Sequence, residues 1–537
     1  MFKCKKDFFK HNIKYILGIV FAITGILYDI YLNIEYKWFL DSDMAAEMML
    51  AKKLNMEGGI LSKSWYYSTE LRVFCQQWFL RLGLLFYPDN WHRARMIGGI
   101  LMILVTVLSF YFFLKIIGCG REYAAFGAGV LAWPFGREYF FYAIWGLYYL
   151  SHIILAVIIV SLMLMCFKDF DQNRTNRFNA KVIIALLFSF LCGLNGIRLI
   201  YATFFPLVLT CLIITFLDNK NNAIKKTLLS TSMLLVSTMG WIYNIVILSQ
   251  KYSFNSFGDI TLKNDFSFTI EDLLRDYFRY FGYQGGVKIF SFIGIASCLG
   301  ILFAVLVFFS SIRLLFIYKK LDSIQKFIVV YYHSSLLVHL MMFYFVDYYC
   351  AQYFLTLLPF AISIVIIELK NENWNYKLTN KAIVVLISVT ICICSNATVL
   401  GEQISPKYAL HSYYSQKQAV DWLLENGYYQ GFGSFWQTNV LTELSNGQIE
   451  MWNIGWRLCG KTDLEVLEWL QSTDHAERLP EGKTFIFYNK DDDLGFELSP
   501  LLNNGEMVFE NGYYYIFVYD SVEDMLEGIE EGSEEDL

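Results

Sequence analysis

Charged residues are scarce in this sequence: Asp, Glu, Lys and Arg make up 17% of 537 positions, against roughly 25% in an ordinary soluble domain. Hydrophobic residues reach 56%. No soluble fold can bury that excess, so the surrounding solvent must be lipid. Nucleotide loops are missing as well. Neither a Walker motif nor a G-x-G-x-x-G between strand and helix occurs, which argues against ATP-driven transport by this chain alone. The seven histidines form no H-E-x-x-H or similar cluster, so no dedicated metal site is expected. The eleven cysteines show neither zinc spacing nor a disulfide framework. Six of them, Cys166, Cys192, Cys211, Cys298, Cys392 and Cys394, fall in apolar stretches, where Cys behaves as a small apolar residue. The first apolar stretch is too long for a signal peptide and ends in no small-x-small site, so it reads as an anchor.

What is present is a series of apolar runs of about 20 residues, the length that carries a helix across a hydrocarbon core of about 30 Å. Spans are expected at 13 to 34, 96 to 117, 122 to 138, 146 to 167, 182 to 197, 199 to 217, 228 to 249, 287 to 314, 327 to 346, 350 to 368 and 381 to 400. The run from Val182 to Leu217 is too long for one crossing, and Gly193, Asn195 and Gly196 interrupt it, so it reads as a helical hairpin. The fold class is therefore an all-α polytopic membrane protein of about eleven spans. Basic residues set its orientation, because short loops rich in Lys and Arg stay in the cytoplasm. Lys3, Lys5, Lys6 and Lys10, then Lys168, Arg174, Arg177 and Lys181, then Lys220, Lys225 and Lys226 recur on one side, as do Arg313, Lys319, Lys320 and Lys326 and finally Lys370, Lys377 and Lys381. The N-terminus is expected inside the cell and everything after the last span outside.

Three segments on the extracytoplasmic side are too large to be turns: 36–95, 251–286, and 401 to the end. In the first, DSDMAAEMMLAKKLNMEGG reads as a short amphipathic helix on the membrane surface, with Met44, Met48, Ala51 and Leu54 on one face and Gly58 as its stop. STELRVFCQQWFLRLGLLFYPDN predicts a second interfacial helix, capped at Ser68 or Thr69 and ended by Pro88-Asp89-Asn90. The chain thus divides into a transmembrane domain over 1–400 and a small α/β domain over 401–520. An acidic, solvated tail is expected over 521–537. In the outer domain YSQKQAVDWLLENG predicts a helix closed by Gly427, and KTFIFYNK and NGYYYIFVYD predict strands.

Two features could carry chemistry. Asp41-Ser42-Asp43 stands where the first span leaves the membrane, and its carboxylates could accept a hydroxyl proton or a hydrogen-bonded sugar. The plain alternative is that Asp43 caps the next helix and Asp41 is exposed. Arg198 sits in GLNGIRLIYATFFPL with almost no polar company. A charge at membrane depth costs about 2.5 to 3.5 kcal/mol, so it needs a partner such as a lipid phosphate, unless it snorkels to the surface. Trp65, Tyr66 and Tyr67 lie outside the membrane and could stack on a sugar or belong to an interfacial belt.

The order of these pieces resembles the C-type (GT-C) membrane glycosyltransferases, and within them the protein mannosyltransferase and aminoarabinose transferase branch. The matching strings are Asp41-Ser42-Asp43-Met44-Ala45-Ala46-Glu47, GLNGIRLIYATFFPL, and AVDWLLENGYYQGFGSFWQTNVLTELSNGQI in the tail. The sequence departs from the pattern at Ser42, where the family often has Glu. It departs again at Gln352-Tyr353, where many members place Arg-Tyr before a Pro. The resemblance implies an inverting transfer from a polyprenyl-phosphate sugar to a glycan, lipid or protein acceptor at the outer face. It implies no cofactor and no nucleic-acid partner, and membrane lipids as the surroundings. Asp41 would be the base, with Asp43 or Glu47 positioning it, and Arg72, His92, Arg93 or Arg198 would stabilise the departing phosphate. A lipid-linked polysaccharide transporter or flippase, or a non-catalytic membrane assembly protein, are the other readings. Transporters tend to show internal repeats and charges within several spans, whereas here the polar groups gather in the outer segments.

Overall fold

A computed structural model describes residues 2–35, 40–69, 71–172, 175–218, 222–254, 270–346, 351–371, 377–404, 413–454, 466–489, 502 and 504–527. Among them, nine helices are long and apolar enough to cross a membrane, and they coincide with nine of the expected spans. The two remaining positions hold shorter helices. Arg121–Leu131 stops short of Pro134, whose ring disfavours helical backbone in the residue before it. Ala180–Gly193 is the apolar part of the helix Thr175–Gly193. The short helix Arg121–Leu131 lies against the first span, Phe2–Glu35, in almost backbone contact. A Cβ added at Gly25 would come within 2.8 Å of the Ala132 carbonyl, so van der Waals packing of small residues holds this pair.

The basic loops gather at one end of the bundle. Lys168 donates to the Ile116 carbonyl at 2.6 Å, Lys181 pairs with Asp169 at 2.5 Å and Lys226 with Asp171 at 2.9 Å. The opposite end joins parts of all three large outer segments. Strand β1 (Trp65–Tyr66) pairs antiparallel with β4 (Gln471–Ser472), and the Tyr67 N–H donates to the Ser253 carbonyl at 2.8 Å. A reporter fused after Leu400 is therefore expected to signal from outside the cytoplasm, and one in the loop holding Lys320 from inside. Cytoplasmic signal after Leu400 would mean a miscounted span.

The last span's helix runs Lys377–Ile404, and a small α/β domain follows. Its five-stranded sheet has the order β3-β2-β5-β7-β6, with β2 (Gln430–Gly433), β3 (Glu450–Asn453) and β5 (Thr484–Asn489) parallel. The strands β6 (Glu506–Glu510) and β7 (Tyr514–Tyr519) complete it antiparallel. The helix Tyr413–Glu425 is the expected one, and Gly427 follows it at φ +78°. The segment expected as a solvated tail begins later than 521. Residues 522–527 are helical, and Val522 and Met525 are buried on the sheet beside Phe432 and Trp452, because side chains three residues apart on a helix share a face. Residues 528–537 lie outside the described residues.

Two expectations for the first outer loop fail. The helix Ser42–Glu57 does not lie on the membrane surface. Met44, Met48 and Ala51 pack on the transmembrane core, while Ala46, Leu50 and Leu54 pack with Trp65, Leu71, Phe435 and Leu470, so the outer domain covers its second face. The second helix begins only at Gln77 and ends at Phe86. Residues 71–76 have no need of helical hydrogen bonds because side chains supply them. Asn195 both accepts from the Phe74 N–H, at 2.7 Å, and donates to its carbonyl, and Asn244 donates to the Leu71 carbonyl at 2.6 Å. The shorter helix turns Leu82, Leu85 and Phe86 outward, as an interfacial helix does.

Candidate active site

Asp41 has extended backbone, φ −95° and ψ 166°, and its Oδ1 accepts the Met44 N–H at 2.8 Å. Asp41, not Asp43, is thus the N-cap of the helix Ser42–Glu57, which reverses the sequence-based assignment. The same oxygen accepts the Tyr148 hydroxyl. Because Asp41 stands outside the helix, the 100° step per residue does not separate it from Asp43. Asp43 and Glu47, four apart, share a helix face. Asp41, Asp43 and Glu47 are each partly exposed, at the start of a helix packed between the bundle and the outer domain.

Burial governs their acidity. It raises Asp43 to about 7, with the Asp41 charge adding to the rise; Arg72 pulls it down, Glu47 adds a further rise, and Arg198 opposes. Asp41 is also raised by burial, against its bonds from Tyr148 and the Met44 N–H and the charge of Arg95. Glu47 is raised for the same reason, against Arg72, Arg95 and Cys75. One of these acids can therefore exchange a proton near neutral pH.

Arg72 belongs to the segment pinned by Asn195 and Asn244, and its own carbonyl accepts from Gln77 at 3.2 Å. Arg198 follows the hairpin break at Gly193–Gly196. It donates to the Tyr149 hydroxyl at 3.0 Å and lies over two rings, 5.5 Å from Tyr149 and 4.9 Å from Tyr353. A guanidinium over aromatic faces and beside a phenol keeps its charge, which acts on Asp43. The tyrosines are placed by an unusual stretch: a π-helical turn over Phe140–Trp145 leads into Leu147, buried at φ +63°, immediately before Tyr148 and Tyr149. π-turns and positive φ at a branched residue concentrate where a site needs them.

The structure therefore assembles Asp41, Asp43, Glu47, Arg72, Arg198 and Tyr353, and leaves other expected residues apart. Trp65 is buried among Leu71, Phe435 and Leu470, and Tyr66 lies beside Glu468 in the strand pair with the outer domain. Arg93 is exposed over Tyr87 at 5.6 Å, and His92 stands half-exposed beside it on the first turn of Trp91–Ile116. Gln352 occupies the same tight turn as Tyr353, Ala351–Leu357. Residues that sequence reasoning missed are Tyr148, Tyr149, Arg95, Glu443, Asn195 as a clamp, and Asn244. Of these, only Asn195, in the interrupted hairpin, and Arg95, a basic residue opening an apolar run, carried a local signal.

No protein-family model matches the chain, and no curated protein matches it. Solved structures share its fold. ArnT from Cupriavidus metallidurans in the apo state is similar at a TM-score of 0.58 and 12% identity, covering 95% of this chain and 98% of that one. The same protein bound to undecaprenyl phosphate gives 0.55 and 12%, covering 94% and 97%. The Archaeoglobus fulgidus oligosaccharyltransferase tethered to an acceptor peptide is similar only at 0.45 and 12%, covering 81% of this chain and 63% of that one, too distant to argue from. The polytopic membrane fold with a small outer α/β domain expected from the sequence is the fold of this chain, and it is shared with ArnT.

Proposed function

We propose that this protein is a membrane glycosyltransferase that moves a sugar from a polyprenyl-phosphate donor to an acceptor hydroxyl at the outer face. The observation that carries the reading is the gathering of three partly exposed carboxyls, Asp41, Asp43 and Glu47, with two arginines, Arg72 and Arg198, whose charges act on Asp43. The cluster lies at the outer end of the spans, where a lipid-linked sugar can reach it and nucleotide sugars are not available. That a protein of this fold has been solved with undecaprenyl phosphate supports the choice of lipid.

In this mechanism Asp43 takes the proton of the acceptor hydroxyl while that oxygen attacks the anomeric carbon. The bond from that carbon to the phosphate oxygen breaks on the opposite side, so the configuration inverts and polyprenyl phosphate leaves. Arg198 and Arg72 stabilise the charge that grows on the phosphate. Asp41 is committed to its cap and to Tyr148, so it sets the acidity of Asp43 rather than acting as the base. Gln352 stands where the resemblance has Arg, and Tyr353 instead lends its face to Arg198, which takes over the phosphate contact. Lipids extracted from the purified protein should contain polyprenyl phosphate or its sugar ester by mass spectrometry. Wild-type protein that neither copurifies with such a lipid nor binds it when added would overturn the reading.

A further inference from the structure

A buried ion pair joins the outer domain to the acid helix. Arg95, near the start of the span Trp91–Ile116, donates through Nε and Nη2 to both carboxylate oxygens of Glu443, at 2.7 and 2.5 Å. Both side chains are 5% exposed. Glu443 belongs to the helix Phe435–Leu444, which also contacts the acid helix directly: the Ser42 hydroxyl donates to the Phe435 carbonyl, and Asn439 donates to the Ser42 carbonyl at 3.4 Å. The second bond from Arg95 Nη2 goes to the Met44 carbonyl, at 2.7 Å, within the first turn that carries Asp43. A guanidinium there has an obvious alternative, namely the carboxylates of Asp41 and Glu47, on both of which its charge already acts.

We propose that Glu443 is a positioning residue for the acid cluster: by holding Arg95 in a two-pronged bridge it keeps that guanidinium on the Met44 carbonyl, balances its charge and keeps it from pairing with the carboxylates of Asp41 and Glu47. The inference rests on the proposed catalytic role of these acids. Other charged and titratable groups face them from each neighbouring element. Tyr67, Arg72 and Cys75 come from the first outer loop, Tyr148 from the turn before the span Leu150–Asp171, and Arg198 from the hairpin. Among the cations, Arg72 and Arg198 act on Asp43, whereas Arg95 acts on Asp41 and Glu47 and is tied to the outer domain through Glu443. The domain would then be part of the active site by controlling one cation, with no contact to substrate.

The test reads the acids without needing turnover. A hydrophobic carbodiimide modifies a carboxyl in its protonated form, so labelling of the peptide spanning Asp41 to Glu47, followed by mass spectrometry across pH, gives its midpoint. In the full-length protein Glu443→Gln should lower that midpoint by roughly one pH unit, because an unbalanced cation within a few ångströms favours the charged acid. Arg95→Gln should raise it, and the double variant should return close to wild type. Either single variant decides, since each has its own sign. Midpoints that stay put, or that move the same way in both, overturn the proposal. A shifted midpoint in a protein that never binds polyprenyl phosphate would keep this inference and discard the catalytic one.

Discussion

Asp43→Asn should lose about 10² to 10⁴ in transfer rate at equal protein level, the usual cost of removing a general base. Its fold should survive, because the substitution removes a charge that burial disfavours rather than a bond that burial requires. The direction of the stability effect follows from linkage. A carboxyl whose folded pKa is raised destabilises the folded state as pH climbs from its ordinary value toward about 7, so the Asn variant should be at least as stable as wild type in neutral buffer. Asp41→Asn should behave differently. Asn is as good an N-cap as Asp, so the helix start is kept. The negative charge that helps to raise Asp43 is gone, however, and the rising limb of the pH–rate profile, which needs Asp43 deprotonated, should move to lower pH. A larger rate loss in Asp41→Asn than in Asp43→Asn would give the base role back to Asp41.

Arg198→Gln should cost about 10² to 10³ in rate, the typical loss when a preorganised group facing developing charge is removed. It should also weaken binding of polyprenyl phosphate. Removing this cation takes away one of the influences that lower Asp43, so the rising limb should move to higher pH, opposite to Asp41→Asn. Arg198→Lys should recover only part of the rate, since an ammonium cannot lie flat over Tyr353 and Tyr149 while donating to the Tyr149 hydroxyl. Unchanged rate in Arg198→Gln would remove the phosphate role from this residue.

Periodicity and run length made the bundle legible, because a hydrocarbon solvent forces helices of fixed length and leaves their apolar character written in the sequence. The hairpin at Gly193–Gly196 was readable for the same reason, as was the strand pair Thr484–Asn489 with Tyr514–Tyr519, which alternates and ends in turns. The acid helix was placed correctly by its residues and wrongly by its surroundings. A helix with one clear apolar face fits a membrane surface, and only the arrival of Phe435 and Leu470 from the distant outer domain shows that its second face is covered too. The cap was misassigned because Asp41 and Asp43 both satisfy the local rule. What separates them is the extended backbone at Asp41 and the hydroxyl of Tyr148, neither of which leaves a mark within the motif. Segment 71–76 shows the same limit. Its helical pattern is overridden by Asn195, in the hairpin turn, and Asn244, on another helix, whose amides bond to the backbone of Phe74 and Leu71. Arg72 owes its place to that override.

The central claim is best tested by following the donor itself. Purified wild-type protein and Asp43→Asn would be placed in liposomes with a radiolabelled pool of polyprenyl-phosphate sugars and supplied with an extract of envelope acceptors, and release of free polyprenyl phosphate would be measured with time at pH 6, 7 and 8. Wild type should release it faster as pH rises through about 7, with sugar appearing on the acceptor fraction, and Asp43→Asn should release it about 10² to 10⁴ times more slowly. Donor that stays intact with wild-type protein, or is consumed equally by both proteins, would contradict transfer by this acid cluster.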